Sequence, residues 1–71
     1  MPSEIQSVYF MDNSWTPTTA RQWLKSHNIR PIKGVQHNGY QFRYRIREPE
    51  LYRRFATKML GDDIYLVLGI Y

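Results

Sequence analysis

Three arginines near the middle of the chain alternate with apolar residues, and they are the side chains best suited to bind a ligand. Arg43, Arg45 and Arg47 occupy odd positions, whereas the even positions from 40 to 46 are aromatic or aliphatic. Side chains of a strand point to opposite faces in turn, so this pattern predicts a strand with one apolar face and one guanidinium face. We expect the three guanidinium groups to stand outward, side by side, without carboxylate partners from the protein itself.

Guanidinium groups on one strand face have a spacing that suits an anionic polymer. Successive residues on that face lie roughly 7 Å apart, because each residue of a strand rises ~3.3 Å. Neighbouring phosphates of a nucleic acid are separated by a similar distance, so each arginine could contact one phosphate. The alternative is a solvated sheet face whose arginines keep a small protein soluble.

The basic residues are concentrated in one part of the chain. All ten Lys and Arg residues lie between Arg21 and Lys58, a segment that contains only two acidic residues and therefore carries a net charge of +8. The segments on either side each carry −2. A basic centre attracts polyanions over long range whatever their sequence, which favours nucleic acid over a particular small acid.

The composition indicates one small domain that has no covalent or cysteine-based reinforcement. The 71 residues include no cysteine, which excludes a disulfide framework and a cysteine-ligated zinc. The N-terminal sequence lacks the features of a secretory signal, and the apolar run at residues 64–71 is too short to span a bilayer as a helix. We therefore expect an intracellular protein, in the cytoplasm or nucleus or packaged within a particle, that has no membrane partner.

Local signals predict one helix after a short first strand. Thr16 can cap a helix that begins at Pro17, and Asn28 suits its C-terminal end. Arg21 and Lys25 are four residues apart on the exposed side of this helix. They could extend the guanidinium surface, or they could be ordinary solvated residues.

An Asn-Gly dipeptide predicts a hairpin that leads into the arginine strand. Asn38 and Gly39 tolerate the positive φ of both central positions of a type I′ turn, which would pair His37 with Tyr40. In that register Arg30 lies in the preceding strand, on the same face as the alternating arginines. Arg30 is therefore a further candidate for the binding surface.

Two more strands are predicted on either side of a turn at residues 61–63. The last strand is apolar on both faces, and such strands are normally covered on both sides. Because one helix shields only one face of a small sheet, we expect a homodimer with this strand at or near the interface. The alternative is a central strand that the helix covers on one face and tyrosines cover on the other. The expected interface residues are Ile64, Leu66, Leu68 and Ile70.

The predicted order of elements is β-α-β-β-β-β, with a short helical corner at residues 48–52. This order indicates an α+β fold: a mostly antiparallel sheet of about five short strands with one packed helix. Within the arginine strand the rings point away from the guanidinium groups. Contact with the backbone of a duplex is then more natural than stacking of single-stranded bases.

The sequence gives little support for catalysis. Two histidines without motif spacing cannot form the usual structural zinc site, and a Gly-rich phosphate loop and a Ser-centred elbow are both missing. A tyrosine nucleophile with arginines and a histidine would suit phosphodiester transesterification, but six tyrosines and seven arginines make coincidence the better explanation. We expect a non-enzymatic protein with no cofactor, no metal and no small-molecule substrate.

A longer pattern resembles a known family. The motif W-T-x-x-x-A-R-x-W-L-K-x-H runs from Trp15 to His27, a basic segment closed by proline spans 44–49, and matching positions continue at Thr57, Lys58, Leu60 and Ile64. This combination resembles a small uncharacterised family of large eukaryotic DNA viruses, with similar segments in tailed-phage proteins. The similarity covers residues 15–69. Relatives have glycine in the final turn, where this chain has two aspartates.

The resemblance implies a viral setting rather than an activity. Genome compaction, transcription or a role in the virion would suit such a protein, and no catalytic residue can be carried over. Arg21 and the three alternating arginines fall in or beside the matched segments.

Together these observations predict a small, non-enzymatic, viral protein that binds nucleic acid without sequence preference, DNA rather than RNA, as a homodimer. The alternative is a protein-interaction or virion structural component that holds an acidic protein partner with the same basic face and the last strand. The expected nucleic-acid contacts are Arg43, Arg45, Arg47, Arg30, Arg21 and Lys25.

Overall fold

The computed structural model describes residues 3–71, which form one antiparallel sheet of five strands and one α-helix on a single face of it. The strands lie in the order β2-β3-β1-β5-β4. The predicted α+β class and the predicted order of elements are confirmed. The elements are β1 (Ser3–Met11), α1 (Pro17–Ser26), β2 (Gln36–Asn38), β3 (Gln41–Arg45), a 3₁₀ turn (Pro49–Leu51), β4 (Arg54–Gly61) and β5 (Ile64–Ile70).

The helix begins and ends where its local signals predict. Thr16 and Thr19 form a reciprocal capping box: the Thr19 amide donates to the Thr16 hydroxyl at 3.2 Å, and the Thr16 amide donates to the Thr19 hydroxyl at 2.9 Å. Pro17 occupies the first turn, where a missing amide proton costs nothing. Asn28 follows the C-terminal end with a φ of 57°, a left-handed conformation that asparagine tolerates well.

The hydrophobic core lies between the helix and one face of the sheet. Phe10 of β1 is fully buried at its centre. The Phe10 ring meets three other rings edge to face, with centroid distances of 5.1, 5.7 and 5.8 Å to Trp15, Trp23 and Tyr44. The Tyr44 hydroxyl donates to the carbonyl of Pro17 at 3.1 Å, which joins β3 to the first turn of the helix. Edge-to-face packing therefore holds the helix over β1 and β3.

The last strand is central in the sheet, which corrects part of the expected dimer interface. β5 lies between β1 and β4. Ile64 and Leu66 are only 2% and 8% exposed within the single chain, so they offer almost no surface to a second copy. Leu68 is partly buried against the same core, and Ile70 is half-buried at the end of the strand. The apolar character of β5 thus follows from its central position, as in the alternative interpretation.

The first hairpin turn lies one residue later than predicted. Asn38 pairs with Gln41, so the two-residue loop consists of Gly39 and Tyr40. Of these two, only Gly39 has a positive φ, at 59°, as in a type II′ turn that needs glycine at its first central position. Tyr40 is consequently 79% exposed at the tip, not part of the apolar face of β3. His37 pairs with Phe42 instead of with Tyr40.

The turn with two positive φ values is found in the second hairpin. Asp62 and Asp63 have φ values of 54° and 58° between the ends of β4 and β5, the pattern of a type I′ loop. The last residue of β1 and residues of the turn that follows it hold this strained loop in place. The Trp15 indole donates to the carbonyl of Asp62 at 2.7 Å, the Met11 amide donates to the carbonyl of Asp63 at 3.0 Å, and the Ser14 hydroxyl donates to the Asp63 carboxylate.

One end of the sheet face opposite the helix is closed by an aromatic ring over a glycine. The ring of Tyr52 lies where a Cβ on Gly69 would be, with the nearest ring carbons only 2.3 Å from that position. Phe55 and Tyr71 pack against the same ring at centroid distances of 6.0 and 5.2 Å. The missing side chain of Gly69 therefore creates the space for a small second aromatic cluster.

Replacing Gly69 by alanine is expected to destabilise the protein by roughly 1–3 kcal/mol, because the added methyl group overlaps the Tyr52 ring. Chemical denaturation measures this loss. Gly34→Ala is the matched control, since a Cβ at Gly34 meets nothing within 4 Å and Gly34 has no positive φ. Equal stability of the Gly69→Ala variant and the wild type would show that the Tyr52 ring does not occupy this position.

Alkaline pH is expected to destabilise the fold through its buried tyrosines. Burial raises the pKa of Tyr44 and of Tyr52 above the ordinary value of 10.0, and the nearby carboxylate of Glu4 raises the Tyr52 pKa further. The unfolded chain therefore loses these protons first. The stability that the neutral side chains contribute is complete below pH 10 and is lost as the pH rises through the folded-state pKa values.

The Tyr52→Phe variant separates destabilisation by tyrosine ionisation at high pH from destabilisation by loss of a hydrogen bond. The buried Tyr52 hydroxyl has no hydrogen-bond partner within residues 3–71, so at pH 7 we expect the Tyr52→Phe variant to be at least as stable as the wild type. Its free energy of unfolding should fall less steeply above pH 10. Tyr44→Phe should instead lose ~1 kcal/mol already at pH 7, because the bond to Pro17 disappears. Identical profiles of the Tyr52→Phe variant and the wild type would contradict this assignment.

Candidate nucleic-acid interface

The sheet face opposite the helix, here called the open face, carries a straight row of side chains across all five strands. Gln36 of β2 pairs with Arg43 of β3, and Arg43 pairs with Tyr9 of β1. Tyr9 pairs in turn with Tyr65 of β5, which pairs with Met59 of β4. Directly paired residues of antiparallel strands project to the same face, at strand spacings of ~4.8 Å. The row therefore places a guanidinium group, two phenol rings and a thioether side by side.

A cation–ring contact joins the first two functional groups of this row. The guanidinium carbon of Arg43 lies 5.7 Å from the centroid of the Tyr9 ring, within the range of a cation–π interaction. Tyr9 and Tyr65 are half-buried, so part of each side chain is accessible to solvent. The sheet framework presents these side chains from paired β-strands, which restricts their movement relative to one another.

Two shallow hollows flank Tyr9 on the open face. One has a volume of about 230 Å³ and extends toward Tyr65, Val67 and Thr57. The other, of about 220 Å³, extends toward Arg43 and Phe55. Flat surfaces lined by aromatic rings suit planar ligands that stack, because stacking needs exposed ring area more than an enclosed cavity.

We expected three guanidinium groups without carboxylate partners, and this prediction is wrong for Arg45 and Arg47. The Nε atom of Arg47 lies 2.5 Å from the carboxylate of Glu4, and a terminal nitrogen of Arg45 lies 3.9 Å from the carboxylate of Glu48. The sequence could not reveal the first pair, because the two residues belong to separate strand regions. Arg43 is the member of the three that forms no ion pair among the described residues and lies over a ring instead.

Arg43 and Arg45 lie partly against the sheet. The Nε atom of each is inaccessible to solvent and has no hydrogen-bond partner within residues 3–71. Burying a donor without an acceptor costs free energy, of the order of 1–3 kcal/mol. In β1 these two arginines pair with Tyr9 and Ser7, so they lie beside those residues on the open face.

The other three predicted cations lie around a groove on the helix side of the sheet. Arg21, Lys25 and Arg30 line this groove, which has a volume of about 490 Å³ and ends at Pro31. Among residues 3–71 none of these three cations takes part in an ion pair. Arg30 was expected in a strand on the arginine face, but residues 30–35 are irregular and β2 is only three residues long. A second groove, between Arg30 and Arg47, adjoins the first.

The six predicted contact residues therefore do not form one surface. Arg43 and Arg45 lie on the open face, whereas Arg21, Lys25 and Arg30 lie on the helix side. The sequence interpretation also missed the two tyrosines of the open face. It separated rings from arginines because they alternate within β3, but β1 and β5 add Tyr9 and Tyr65 beside Arg43. Only the pairing of strands that are distant in sequence reveals this.

Other kinds of site have no support in the part of the chain that the structure describes. Residues 3–71 contain no group of three or more His, Cys, Asp or Glu side chains that could hold a metal ion. The helical segments of that region are too short and too polar to cross a membrane. The chain matches no protein-family model, no curated protein and no solved structure.

Proposed function

We propose that this protein binds single-stranded nucleic acid on the open face of its sheet, without sequence preference and without catalysis. The observation that carries this proposal is the cross-strand row in which Arg43, Tyr9 and Tyr65 lie side by side. Aromatic rings on a sheet face can stack on exposed bases, and every base offers a π-face, so such binding tolerates any sequence.

The arginines of the open face supply the phosphate contacts in this proposal. Arg43 and Arg45 are two residues apart on β3, so their side chains lie roughly 7 Å apart along the strand. A strand of nucleic acid that stacks its bases on the tyrosines would bring its phosphates close to Arg43 and Arg45. The protein's net charge of +4 favours the encounter at low ionic strength.

A single strand suits this surface better than a duplex. In a duplex the bases are paired and stacked on one another, so their faces are not available to Tyr9 and Tyr65. Stacking and phosphate contacts do not read the 2′-hydroxyl, so DNA is the first ligand to test and RNA the natural comparison. A viral setting is a separate proposal that is supported only by the resemblance of residues 15–69.

Removing the rings of the open face should weaken binding of a single-stranded oligonucleotide. Each stacked base contributes ~1–3 kcal/mol, so Tyr9→Leu and Tyr65→Leu should each lower the affinity by roughly 5- to 150-fold, as measured by fluorescence anisotropy. Leucine keeps apolar bulk, which limits loss of stability. Tyr40→Leu is the matched control, because Tyr40 is 79% exposed at a hairpin tip away from the row.

The salt dependence of the same titration tests the phosphate contacts. If two or three phosphates are bound, the slope of log K against log salt should be about −1.4 to −2.1 for a single strand. A protein that binds the duplex more tightly than the single strand, or a Tyr9→Leu variant that binds as well as the Tyr40→Leu control, would overturn the proposal.

Releasing Arg47 from Glu4 should strengthen binding. Glu4→Gln removes the carboxylate that lies 2.5 Å from Nε of Arg47, which frees this guanidinium for a phosphate. We expect a salt slope steeper by ~0.7 and a higher affinity at low salt. Glu50→Gln is the control, since it changes the net charge equally although Glu50 forms no ion pair among the described residues. Equal effects of both substitutions would indicate a response to net charge alone.

The second candidate function is interaction with an acidic protein. The observation that favours it is the helix-side groove, where Arg21, Lys25 and Arg30 surround a volume of about 490 Å³ without ion pairs among the described residues. A pull-down that recovers one protein and is unchanged by nuclease, together with loss of that protein in an Arg21→Ala, Lys25→Ala variant, would favour this function over the first.

A further inference from the structure

One edge of the sheet is long and uncovered. β4 is an edge strand, and all eight of its residues are exposed. The opposite edge, β2, has only three residues. An edge strand presents a row of unpaired backbone donors and acceptors that another strand can join. β4 also exposes two large apolar side chains toward the open face: Phe55 is 48% and Met59 is 67% accessible.

We propose that β4 pairs with β4 of a second copy, antiparallel, about a two-fold axis that passes beside Thr57. This axis is perpendicular to the sheet, so each residue of one strand meets a residue of the same face in the other. The two five-stranded sheets then form one continuous sheet of ten strands, with both helices on the same side. The homodimer expected from the sequence is thereby assigned to β4 rather than to β5.

A two-fold axis near the middle of β4 could pass beside Ala56, Thr57 or Lys58. The charges of β4 favour the register that is centred on Thr57. A pair centred on Lys58 places two lysines directly opposite each other. A pair centred on Ala56 places Arg54 opposite Lys58 twice. Like charges in direct opposition destabilise a strand pair. Only the pair centred on Thr57 avoids every such opposition.

The same register makes the strand complementary to itself in side-chain type. Phe55 of each copy lies opposite Met59 of the other on the open face, so the two most exposed apolar groups of that side cover each other. Thr57 lies opposite itself at the centre, a favourable cross-strand pair. The ladder covers five residues, Phe55 to Met59, because the register of β4 shifts between Met59 and Gly61.

The dimer would also extend the open face. The row that ends at Met59 in one copy continues to Phe55 of the second copy, and the two rows are related by the two-fold axis. A longer oligonucleotide could then contact both copies; this consequence, unlike the dimer itself, rests on the proposed function.

Single cysteines provide a register-specific test, because the natural chain contains no cysteine. Thr57→Cys should form a symmetric disulfide under mild oxidation, since directly opposed residues have Cα distances within the range that a disulfide needs. Ala56→Cys and Lys58→Cys are the matched controls, as they would be self-opposed only in the other two registers. We expect the Thr57→Cys variant to crosslink at least tenfold faster than either control.

Sedimentation equilibrium of the cysteine-free protein without nucleic acid provides the independent measurement. The wild type should dimerise, and Thr57→Lys and Thr57→Glu should each weaken the dimer about fivefold, whereas an equimolar mixture of these two variants should restore it as a heterodimer. Circular dichroism confirms that each variant is folded. A monomeric wild type up to its solubility limit would overturn the dimer, and faster crosslinking of either control would overturn the register, whatever the outcome of the nucleic-acid titrations.

Discussion

The structure depends on one constraint: a helix of ten residues can cover only one face of a five-stranded sheet. The helix lies over β1 and β3, where Phe10 meets three aromatic rings, and the buried core between the helix and the sheet also includes Ile64 and Leu66 of β5. Residues 3–71 contain no second α-helix that could cover the other face. The helix therefore leaves the side chains of the open face uncovered, and the composition of that face becomes the main guide to function.

The open face is only partly closed by the chain itself. Tyr52 covers Gly69 at one end and packs with Phe55 and Tyr71, which forms a second, smaller aromatic cluster. Beyond this cluster the face carries Tyr9 and Tyr65 without a covering element. Half-buried rings in a row contribute less to stability than fully buried ones would, so a ligand that covers them would gain the free energy of burying their accessible surface.

Charge supports this interpretation less than the sequence suggests. Glu4 and Glu48 lie beside two of the three alternating arginines, and the other predicted cations surround a groove on the helix side. The basic segment is thus divided between two faces of the molecule. On the open face the rings beside Arg43 indicate the type of ligand better than the number of positive charges does. An electrostatic field attracts any anion, whereas a row of stacking rings requires a planar group.

The sequence by itself determined the type and order of the elements of this protein, although not every boundary, since their signals are local. The cap at Thr16, the stop at Asn28 and the alternation of β3 each involve residues within a few positions of one another, and the α+β class follows from their order. Only the tertiary structure decided which strands are neighbours. The central position of β5, the pairing of Arg43 with Tyr9 and the contact of Arg47 with Glu4 all join distant segments. A period of two residues assigns side chains to one of two faces, but it does not specify the partner strand or the register, because both are chosen by the packing of the whole sheet against its single helix.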